Sequence, residues 1–388
     1  MDINPRSDRF REYRHAIQEL CSRFGSKYWQ EVEEKNAYPE AFVKALSEAG
    51  WLAVLIPEQY GGGGLGICEA SVILEEINRS GANSGPCHAQ MYIMGTLLRH
   101  GSEKQKQKYL PPIAAGDLRL QSFAVTEPTT GTDTTKTKTF AARKGDRYIV
   151  NGQKTWISRV QHSDLMLLLA RTTKIEDTKK KTEGLSVFLV ELRDAERGGL
   201  TIRPIRNMVN HETNELFFDN FEIPAENLIG DEGAGFRYIL DGMNAERILI
   251  AAECIGDGYW FIGKARDYSR ERIVFDRPIG KNQGIQFPIA HAYARIRAAD
   301  LMRYEAAGLF DAGQACGPEA NLAKLLAAEA SWQAANACLQ TFGGFGFAAE
   351  YDVERKFRET CLYQVAPVST NLILAYIGEH VLGMPRSF

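Results

Sequence analysis

The chain has 388 residues and a formal net charge of −3, so it offers no broad positive surface for nucleic acid. Hydrophobic residues make up 44% and charged residues 24%, a balance that is typical of globular proteins and excludes disordered and fibrous classes. The uncharged apolar runs fall short of the roughly 20 residues that span a bilayer, so we expect no membrane span. The N-terminus lacks a secretory signal pattern, so we expect a cytoplasmic location.

The cysteines and histidines show no metal-binding or nucleophilic pattern. The seven cysteines contain no Cys-x-x-Cys pair, which favours reduced, mostly buried thiols over disulfides or a zinc site. The seven histidines form no His-x-x-x-His pair, and the sequence has no Gly-x-Ser-x-Gly elbow. We therefore expect neither metal chemistry nor a serine nucleophile.

Three stretches with different patterns follow one another along the chain. Apolar residues recur every three or four positions from about residue 8 to 118, which predicts helices. Residues 119–232 carry short β-branched and aromatic runs that predict an antiparallel β domain, with a hairpin turn at Asn151-Gly152. The helical period returns from 233 to 388 with alanine-rich blocks that suit a bundle. The prediction is a mainly α fold with a middle β domain, divided into domains 1–118, 119–232 and 233–388.

The glycines Gly61, Gly63 and Gly66 satisfy the spacing of the dinucleotide-binding fingerprint. Their flanks are helical, however, and residues 82–86 contain no acidic side chain where a ribose-binding residue would fall. We therefore interpret these glycines as a flexible connection between helices.

Two motifs in the predicted β domain suit an aromatic cofactor. The first is a polar loop at 126–133, which contains Thr-Glu-Pro followed by Gly-Thr-Asp. The second, about 20 residues later, is Asn-Gly-Gln-Lys-Thr-Trp-Ile-Ser at 151–158, where Trp156 offers a flat indole and Ser158 a hydroxyl donor. Both motifs resemble the flavin-binding strands of the acyl-CoA dehydrogenase family.

This resemblance extends over nearly the whole chain. Further matching motifs are the stretch 218–230, Arg272-x-x-Phe275 with Gln283, and the stretch 340–347. The resemblance implies the family's fold, which has an N-terminal helical domain, a β-barrel-like middle domain and a C-terminal four-helix bundle. It also implies a homotetramer with FAD bound between subunits.

The resemblance assigns cofactor contacts position by position. Residues 123 to 132 would line the isoalloxazine, with Trp156 and Ser158 on its other side, and Thr132 would also face the substrate. The diphosphate and adenosine would be held by an arginine and by bundle glycines of a neighbouring subunit, although Gly343-Gly344 also suits a plain turn. The predicted FAD-binding residues are Phe123, Val125, Thr126, Gly131, Thr132, Trp156, Ser158, Arg272, Phe275, Gln283, Gln340, Gly343, Gly344, Ser369 and Asn371.

The sequence departs from most of the family at the catalytic base. Most members carry a glutamate in a Tyr-Glu-Gly-Thr stretch, but here residues 363–370 read Tyr-Gln-Val-Ala-Pro-Val-Ser-Thr and Pro367 stands in that position. A proline accepts no proton and has no N–H for the substrate thioester oxygen. The resemblance leaves the flavin ribityl hydroxyl as the remaining donor to that oxygen.

A minority of the family, the isovaleryl-type and long-chain enzymes, place the base on a helix directly before an arginine. Residues 243–247 (Met-Asn-Ala-Glu-Arg) match that arrangement, so Glu246 is the predicted catalytic base, with Asn244 and Arg247 as contacts to CoA. Its apolar helix would raise the pKa of the carboxylate toward neutrality. The alternative is that Glu246 forms a structural ion pair with a nearby arginine.

The function implied by the resemblance is FAD-dependent α,β-dehydrogenation of an acyl-CoA thioester to a trans-2-enoyl-CoA. Electrons would pass to an electron-transfer flavoprotein. Two alternatives stay open: a flavin-dependent monooxygenase or oxidase on the same fold, which Pro367 favours, and a catalytically inactive relative that binds flavin or acyl-CoA.

Overall fold

A computed structural model describes residues 10–193, 195 and 198–387. Its contacts form two compact units, one made of Met1–Lys35, Gly66–Ser84 and Asn244–Phe388, and the other of Asn36–Leu65 and Gly85–Met243. The first nine residues and Phe388, which belong to the predicted terminal domains, lie outside the described residues. The predicted boundaries near 118 and 232 stay a prediction.

The order of elements is helical, then β, then helical, as predicted. The helices are α1 (Arg11–Ser22), α2 (Ser26–Glu34), α3 (Glu40–Glu48), α4 (Ile67–Arg79), α5 (Gly85–His100), α6 (Glu103–Ala115), α7 (Gly235–Glu271), α8 (Gln283–Asp311), α9 (Gly317–Phe342), α10 (Val353–Val365) and α11 (Thr370–Tyr376). The strands are β1 (Leu120–Ala124), β2 (Phe140–Lys144), β3 (Arg147–Ser158), β4 (Leu165–Arg171), β5 (Leu185–Glu191), β6 (Leu200–Pro204), β7 (Thr213–Pro224), β8 (Leu228–Ile229), β9 (Ile273–Val274) and β10 (Arg277–Pro278).

The unit that contains Gly85–Met243 is built on one sheet with the strand order β6-β7-β3-β2-β4-β5-β8, and β1 pairs with β4. The β1–β4 and β2–β4 pairs are parallel, so the sheet is mixed, and the prediction of an antiparallel domain is wrong for these two pairs. Every residue of β4 is buried. Because successive side chains of a strand point to opposite sides, both faces of β4 are therefore covered. Leu165, Leu167 and Leu169 join the core that includes α5 and α6, whereas Met166 and Leu168 join the core on the opposite face.

The predicted hairpin turn at Asn151-Gly152 is also wrong, because β3 runs straight through these residues. Gly152 has φ +151°, and the pairing register of β3 with β7 shifts beside it. A Cβ on Gly152 would lie 2.6 Å from the Cα of Thr139, so the glycine permits a close approach of backbone rather than a reversal of the chain. The chain reverses at Gly145 instead, where φ is +65°.

Among the described residues, no strand precedes the connection around Gly61. A dinucleotide-binding turn follows a strand, so this arrangement agrees with the rejection of such a turn. A short helical turn, Glu58–Tyr60, precedes the glycines and α4 follows them. The connection is tightly packed rather than flexible, because a Cβ on Gly62 would lie 2.2 Å from the carbonyl oxygen of Ile56.

The other unit is a helical bundle in which α8 packs along α9, and α10 also packs against α9. Helices α1 and α4 pack on this bundle through a buried ion network. Glu75 accepts hydrogen bonds from Arg14 at 2.8 Å and from Arg303 at 2.8 Å. Arg303 also pairs with Asp300, and its side chain is completely buried. Each carboxylate therefore offsets the cost of burying a guanidinium.

Within the described part of the chain, the segment Val353–Val381 is long and apolar enough to cross a membrane by its length and composition, with a mean hydropathy of 1.2. Residues 366–369 inside it are not helical. Length and composition alone are weak evidence for a span, so the expected absence of one stays a prediction.

We expect Arg303→Met to lower the free energy of unfolding by about 3–5 kcal/mol, because it leaves Asp300 buried without its cation and Glu75 with Arg14 alone. Arg266→Met is the matched control, because Arg266 forms an exposed pair with Asp267, and its cost should stay below about 1 kcal/mol. Urea titrations of the two variants measure the difference. Equal costs would show that the buried network contributes no special stability.

Candidate active site

A buried lysine fastens the loop after β1 to strand β3. Lys154 Nζ donates to the carbonyl oxygen of Val125 at 2.8 Å and to Glu127 Oε1 at 3.0 Å. The amide of Thr155 donates to the carbonyl oxygen of Thr126 at 2.9 Å. The two predicted flavin-binding motifs are therefore brought together.

Lys154 and Glu127 each stabilise the charged form of the other. Burial lowers the pKa of Lys154 to about 8, although the nearby Glu127 carboxylate opposes the shift. Burial acts to raise the pKa of Glu127, but Lys154 and hydrogen bonds from Thr139 and Lys138 hold that pKa below its usual range. Both groups are thus charged at neutral pH. The sequence gives no signal for the burial of Lys154, because its neighbours Gln153 and Thr155 are polar.

Trp156 presents its indole outside the sheet. The register between β3 and β7 shifts between Lys154 and Ile157, which is a β-bulge, and Trp156 lies in it with φ +62°. The side chain is 60% exposed, whereas Ile157 is buried. A bulky residue rarely adopts this backbone conformation, so its presence here indicates a functional constraint. An exposed flat ring fits the predicted contact with a flavin.

Other predicted residues of this unit lie around the same strands. Ser158 Oγ accepts a hydrogen bond from Asn210 Nδ2 at 2.7 Å, which holds its hydroxyl in place. Phe123 is partly buried beside Tyr92, with ring centroids 6.2 Å apart. Gly131 and Thr132 lie in an exposed loop, where they are accessible to a ligand.

In the other unit, Glu246 lies on α7 with only 5% of its surface exposed. Burial raises the pKa of its carboxyl to about 7, against the opposing charges of Arg247 and Lys324. Among the described residues the carboxylate makes no hydrogen bond or ion pair, so no contact supports the structural ion-pair alternative. Arg247 Nη1 instead donates to Asn244 Oδ1 at 3.0 Å, which brings together the two predicted CoA contacts.

The segment around Pro367 follows the end of α10 and is fastened to α9. Lys324 Nζ donates to the carbonyl oxygens of Tyr363 at 2.6 Å and Val368 at 2.9 Å. Lys324 has no role in the predictions made from the sequence. Ser369, a predicted flavin contact, caps α11 by accepting a hydrogen bond from the Leu372 amide at 3.4 Å.

Asn371, the other predicted flavin contact in this region, follows Ser369 by two residues. Its side chain is exposed, so it is accessible to a ligand.

Two of the predicted diphosphate-binding residues, Arg272 and Phe275, lie at a tight hairpin in the helical unit. Phe275 and Asp276, with φ of +50° and +59°, form the two-residue turn between β9 and β10. Phe275 is 94% exposed at this tip. The Arg272 guanidinium lies 5.6 Å from the centroid of the Phe345 ring, so the hairpin lies beside the 340–347 motif.

Two glycines of that motif leave open space. Gly343 ends α9 with φ +60°, and a Cβ on Gly343 or Gly344 would meet no atom within 4 Å. Gln340 lines a cavity of about 350 Å³ with Gly284, the neighbour of Gln283. Gly343 does serve as the turn that ends α9, but open backbone beside an exposed arginine also fits an anionic diphosphate. The residues present therefore fit FAD.

The described residues hold no group of three or more His, Cys, Asp or Glu side chains that could bind a metal ion. All seven cysteines are free thiols, and six of them are buried, as predicted.

Comparisons with known proteins match all three parts of the chain to one family. The chain matches the acyl-CoA dehydrogenase N-terminal domain over residues 7–117, the middle domain over 122–221 and the C-terminal domain over 233–382. It is 33% identical over 380 residues to acyl-CoA dehydrogenase FadE12 of Mycobacterium tuberculosis, covering 97% of this chain and 96% of the relative.

Two solved structures are similar over the whole chain. A glutaryl-coenzyme A dehydrogenase in complex with glutaryl-CoA matches with a TM-score of 0.90 and 30% identity, covering 100% of this chain and 98% of that one. A chain from a study of the electron transferring flavoprotein of Acidaminococcus fermentans also matches with a TM-score of 0.90 and 30% identity, covering 98% and 100%.

The fold and the site define an FAD-dependent oxidoreductase with helical terminal domains and a middle β domain. The chain belongs to the acyl-CoA dehydrogenase family.

We expect Lys154→Met to weaken FAD binding at pH 7 by at least about tenfold, because the loop at 125–127 loses its anchor and Glu127 loses its partner. In the parent, affinity should fall as the pH rises through about 8, because Lys154 then loses its proton and its attraction for Glu127. The variant should lack this dependence. Equilibrium titration of the apoprotein with FAD measures both effects.

Lys138→Met is the control for this titration. The Lys138 side chain is exposed and only its backbone amide contacts Glu127, so FAD affinity should stay at the parent value. An unchanged affinity in Lys154→Met as well would contradict the role of the anchor.

Proposed function

We propose that this chain catalyses the α,β-dehydrogenation of an acyl-CoA thioester to a trans-2-enoyl-CoA, with Glu246 as the base. The observation that carries the proposal is the Glu246 carboxyl, which is buried, has its pKa raised to about 7 by burial, and makes no hydrogen bond or ion pair among the described residues. The similarity to a glutaryl-CoA complex supports an acyl-CoA thioester as substrate.

A buried carboxylate suits this reaction. The α-proton of a thioester is weakly acidic. A poorly solvated carboxylate whose pKa is about 7 removes such a proton more readily than an exposed carboxylate. Glu246 takes the proton while the α,β-double bond forms. FAD held by the predicted residues would supply the acceptor for the β-hydride.

The thioester oxygen receives less help from the backbone than in most of the family. Pro367 stands where other members offer an N–H, so this chain lacks that donor. Thr132 and the pair of Asn244 and Arg247 would bind the substrate. Asn244 holds the guanidinium of Arg247 in one orientation, which favours a fixed contact with the anionic CoA moiety.

The proposed electron acceptor is an electron-transfer flavoprotein. The similarity to a chain from a study of such a flavoprotein supports this choice. A flavin-dependent oxidase or monooxygenase is the second candidate, because Pro367 removes the base that most of the family uses. Anaerobic titration with acyl-CoAs bleaches the flavin of a dehydrogenase and of an oxidase alike, so the two are distinguished by admitting oxygen afterwards. An oxidase then reoxidises its flavin rapidly, whereas a dehydrogenase stays reduced until the flavoprotein acceptor is added.

We expect Glu246→Gln to slow flavin reduction by acyl-CoA at least about 10²-fold, because glutamine keeps the shape of the side chain but accepts no proton. Flavin content and acyl-CoA binding should persist. Stopped-flow bleaching under anaerobic conditions measures the rate. In the parent, this rate should rise with pH through about 7, because the carboxylate form of Glu246 then becomes dominant.

Pro367→Ala is the companion variant, because alanine adds a backbone N–H without adding a proton acceptor. It should hold or raise the rate of bleaching. A Glu246→Gln protein that is reduced as fast as the parent would remove Glu246 as the base and favour the monooxygenase hypothesis.

We also propose a homotetramer in which the Arg272 hairpin contacts the flavin of a neighbouring subunit. Support comes from the apolar side chains that the helical unit leaves exposed near the hairpin: Ile273, Phe275, Phe345 and Phe347.

We expect Arg272→Ala to lose FAD and tetramer together, because a ligand shared between subunits couples binding to assembly. Light scattering and the flavin absorbance of the purified variant measure the two losses. Arg277→Ala on the same hairpin is the control, since Arg277 pairs with Asn282 at 2.8 Å. Retention of both FAD and tetramer in Arg272→Ala would place the hairpin away from the shared cofactor.

A further inference from the structure

Lys324 is a buried lysine whose contacts are backbone carbonyls. Its side chain is completely buried on α9. Its ammonium donates to the carbonyl oxygens of Tyr363 at 2.6 Å and Val368 at 2.9 Å, which lie on either side of Pro367 in the chain. One side chain therefore fixes both ends of the segment in which the family's usual base is missing.

The charge of Lys324 has no directly contacting anion among the residues that the structure describes. A buried ammonium normally pairs with a carboxylate, because carbonyl dipoles compensate only part of its lost hydration. Two acidic groups, Cys254 and Glu246, act on Lys324 electrostatically, and neither forms a direct ion pair with it. Burial raises the pKa of the Cys254 thiol and keeps it neutral, so Glu246 is the group that can supply a negative charge. Lys324 and Glu246 thus each supply a charge that favours ionisation of the other.

We propose that Lys324 is a positioning residue of the dehydrogenation site: it holds the segment around Pro367 and supplies the buried positive charge that stabilises Glu246 as a carboxylate. This inference rests on the proposed function, in which that carboxylate takes the α-proton.

Other charged and titratable groups face the same cluster. Arg247 and Cys254 project from α7, and Arg247 in turn lies near Cys316 and Tyr376. Arg247 also favours the Glu246 carboxylate, so loss of Lys324 weakens this stabilisation without abolishing it. Burial raises the pKa of the Cys254 thiol, so this group stays neutral and offers no competing charge at neutral pH.

Two substitutions separate the charge from the hydrogen bonds. Lys324→Gln keeps N–H donors but removes the charge, whereas Lys324→Met removes both at similar length. We expect the midpoint of flavin reduction rate against pH to move upward by about one pH unit in both variants, because Glu246 loses a favourable charge. Only Lys324→Met should also increase hydrogen exchange at the amides of residues 364–366 and 368.

Gln364→Met is the matched control. Gln364 Nε2 donates to the carbonyl oxygen of Ala328 at 2.9 Å, so this variant breaks an uncharged link between α10 and α9. Its midpoint should equal that of the parent. A purely structural Lys324 would lower the rate by the same factor at every pH and leave the midpoint unchanged, which would overturn the proposal.

A second readout needs no substrate. The infrared band of the protonated Glu246 carboxyl, assigned as the band missing in Glu246→Gln, should persist to higher pH in both Lys324 variants of the holoenzyme. If no acyl-CoA bleaches the parent flavin, the proposed function fails, but this band still tests Lys324. An unshifted band, or the absence of folded holoenzyme for both variants, would show that Lys324 is only a structural support.

Discussion

The free-energy cost of burying a charge explains the surroundings of three buried ionisable side chains in this protein. Lys154, Glu246 and Arg303 are all buried, and each is treated differently by its surroundings. Arg303 has carboxylates in direct contact and serves stability. Lys154 has one carboxylate and one carbonyl, and it fastens a loop. Glu246 has charges nearby but no direct partner among the described residues, so its pKa rises and the carboxyl becomes suited to proton transfer.

The β-sheet unit shows how backbone geometry can present a side chain. A strand places alternate residues on opposite faces, so an unbroken β3 would continue this alternation through Trp156. The bulge between Lys154 and Ile157 interrupts the alternation and leaves the indole exposed, while the anchor residue Lys154 stays buried. The same short motif thus combines a fixed support with an accessible aromatic surface.

In the helical unit, two observations support the proposed replacement of the family's usual base. Pro367 offers neither a proton acceptor nor an N–H, and the proposed base Glu246 on α7 is buried with its pKa raised to about 7. Lys324 contacts the Pro367 segment directly and acts electrostatically on Glu246. We therefore expect a substitution at Lys324 to change both the Pro367 segment and the pKa of Glu246.

The sequence alone determined the order of helical and β regions, because the 3.6-residue and two-residue periods of apolar residues are local properties. It also predicted a raised pKa for Glu246, since a carboxylate within an apolar helix is visible in the pattern, and the structure buries this side chain. It could not determine that Asn151-Gly152 continues a strand, because the favoured turn was overridden by pairing with β7. Nor could it reveal Lys324 or the parallel β1–β4 pair. Those contacts join residues far apart in the chain, and only tertiary packing decides which carbonyls a buried ammonium meets and which strands become neighbours.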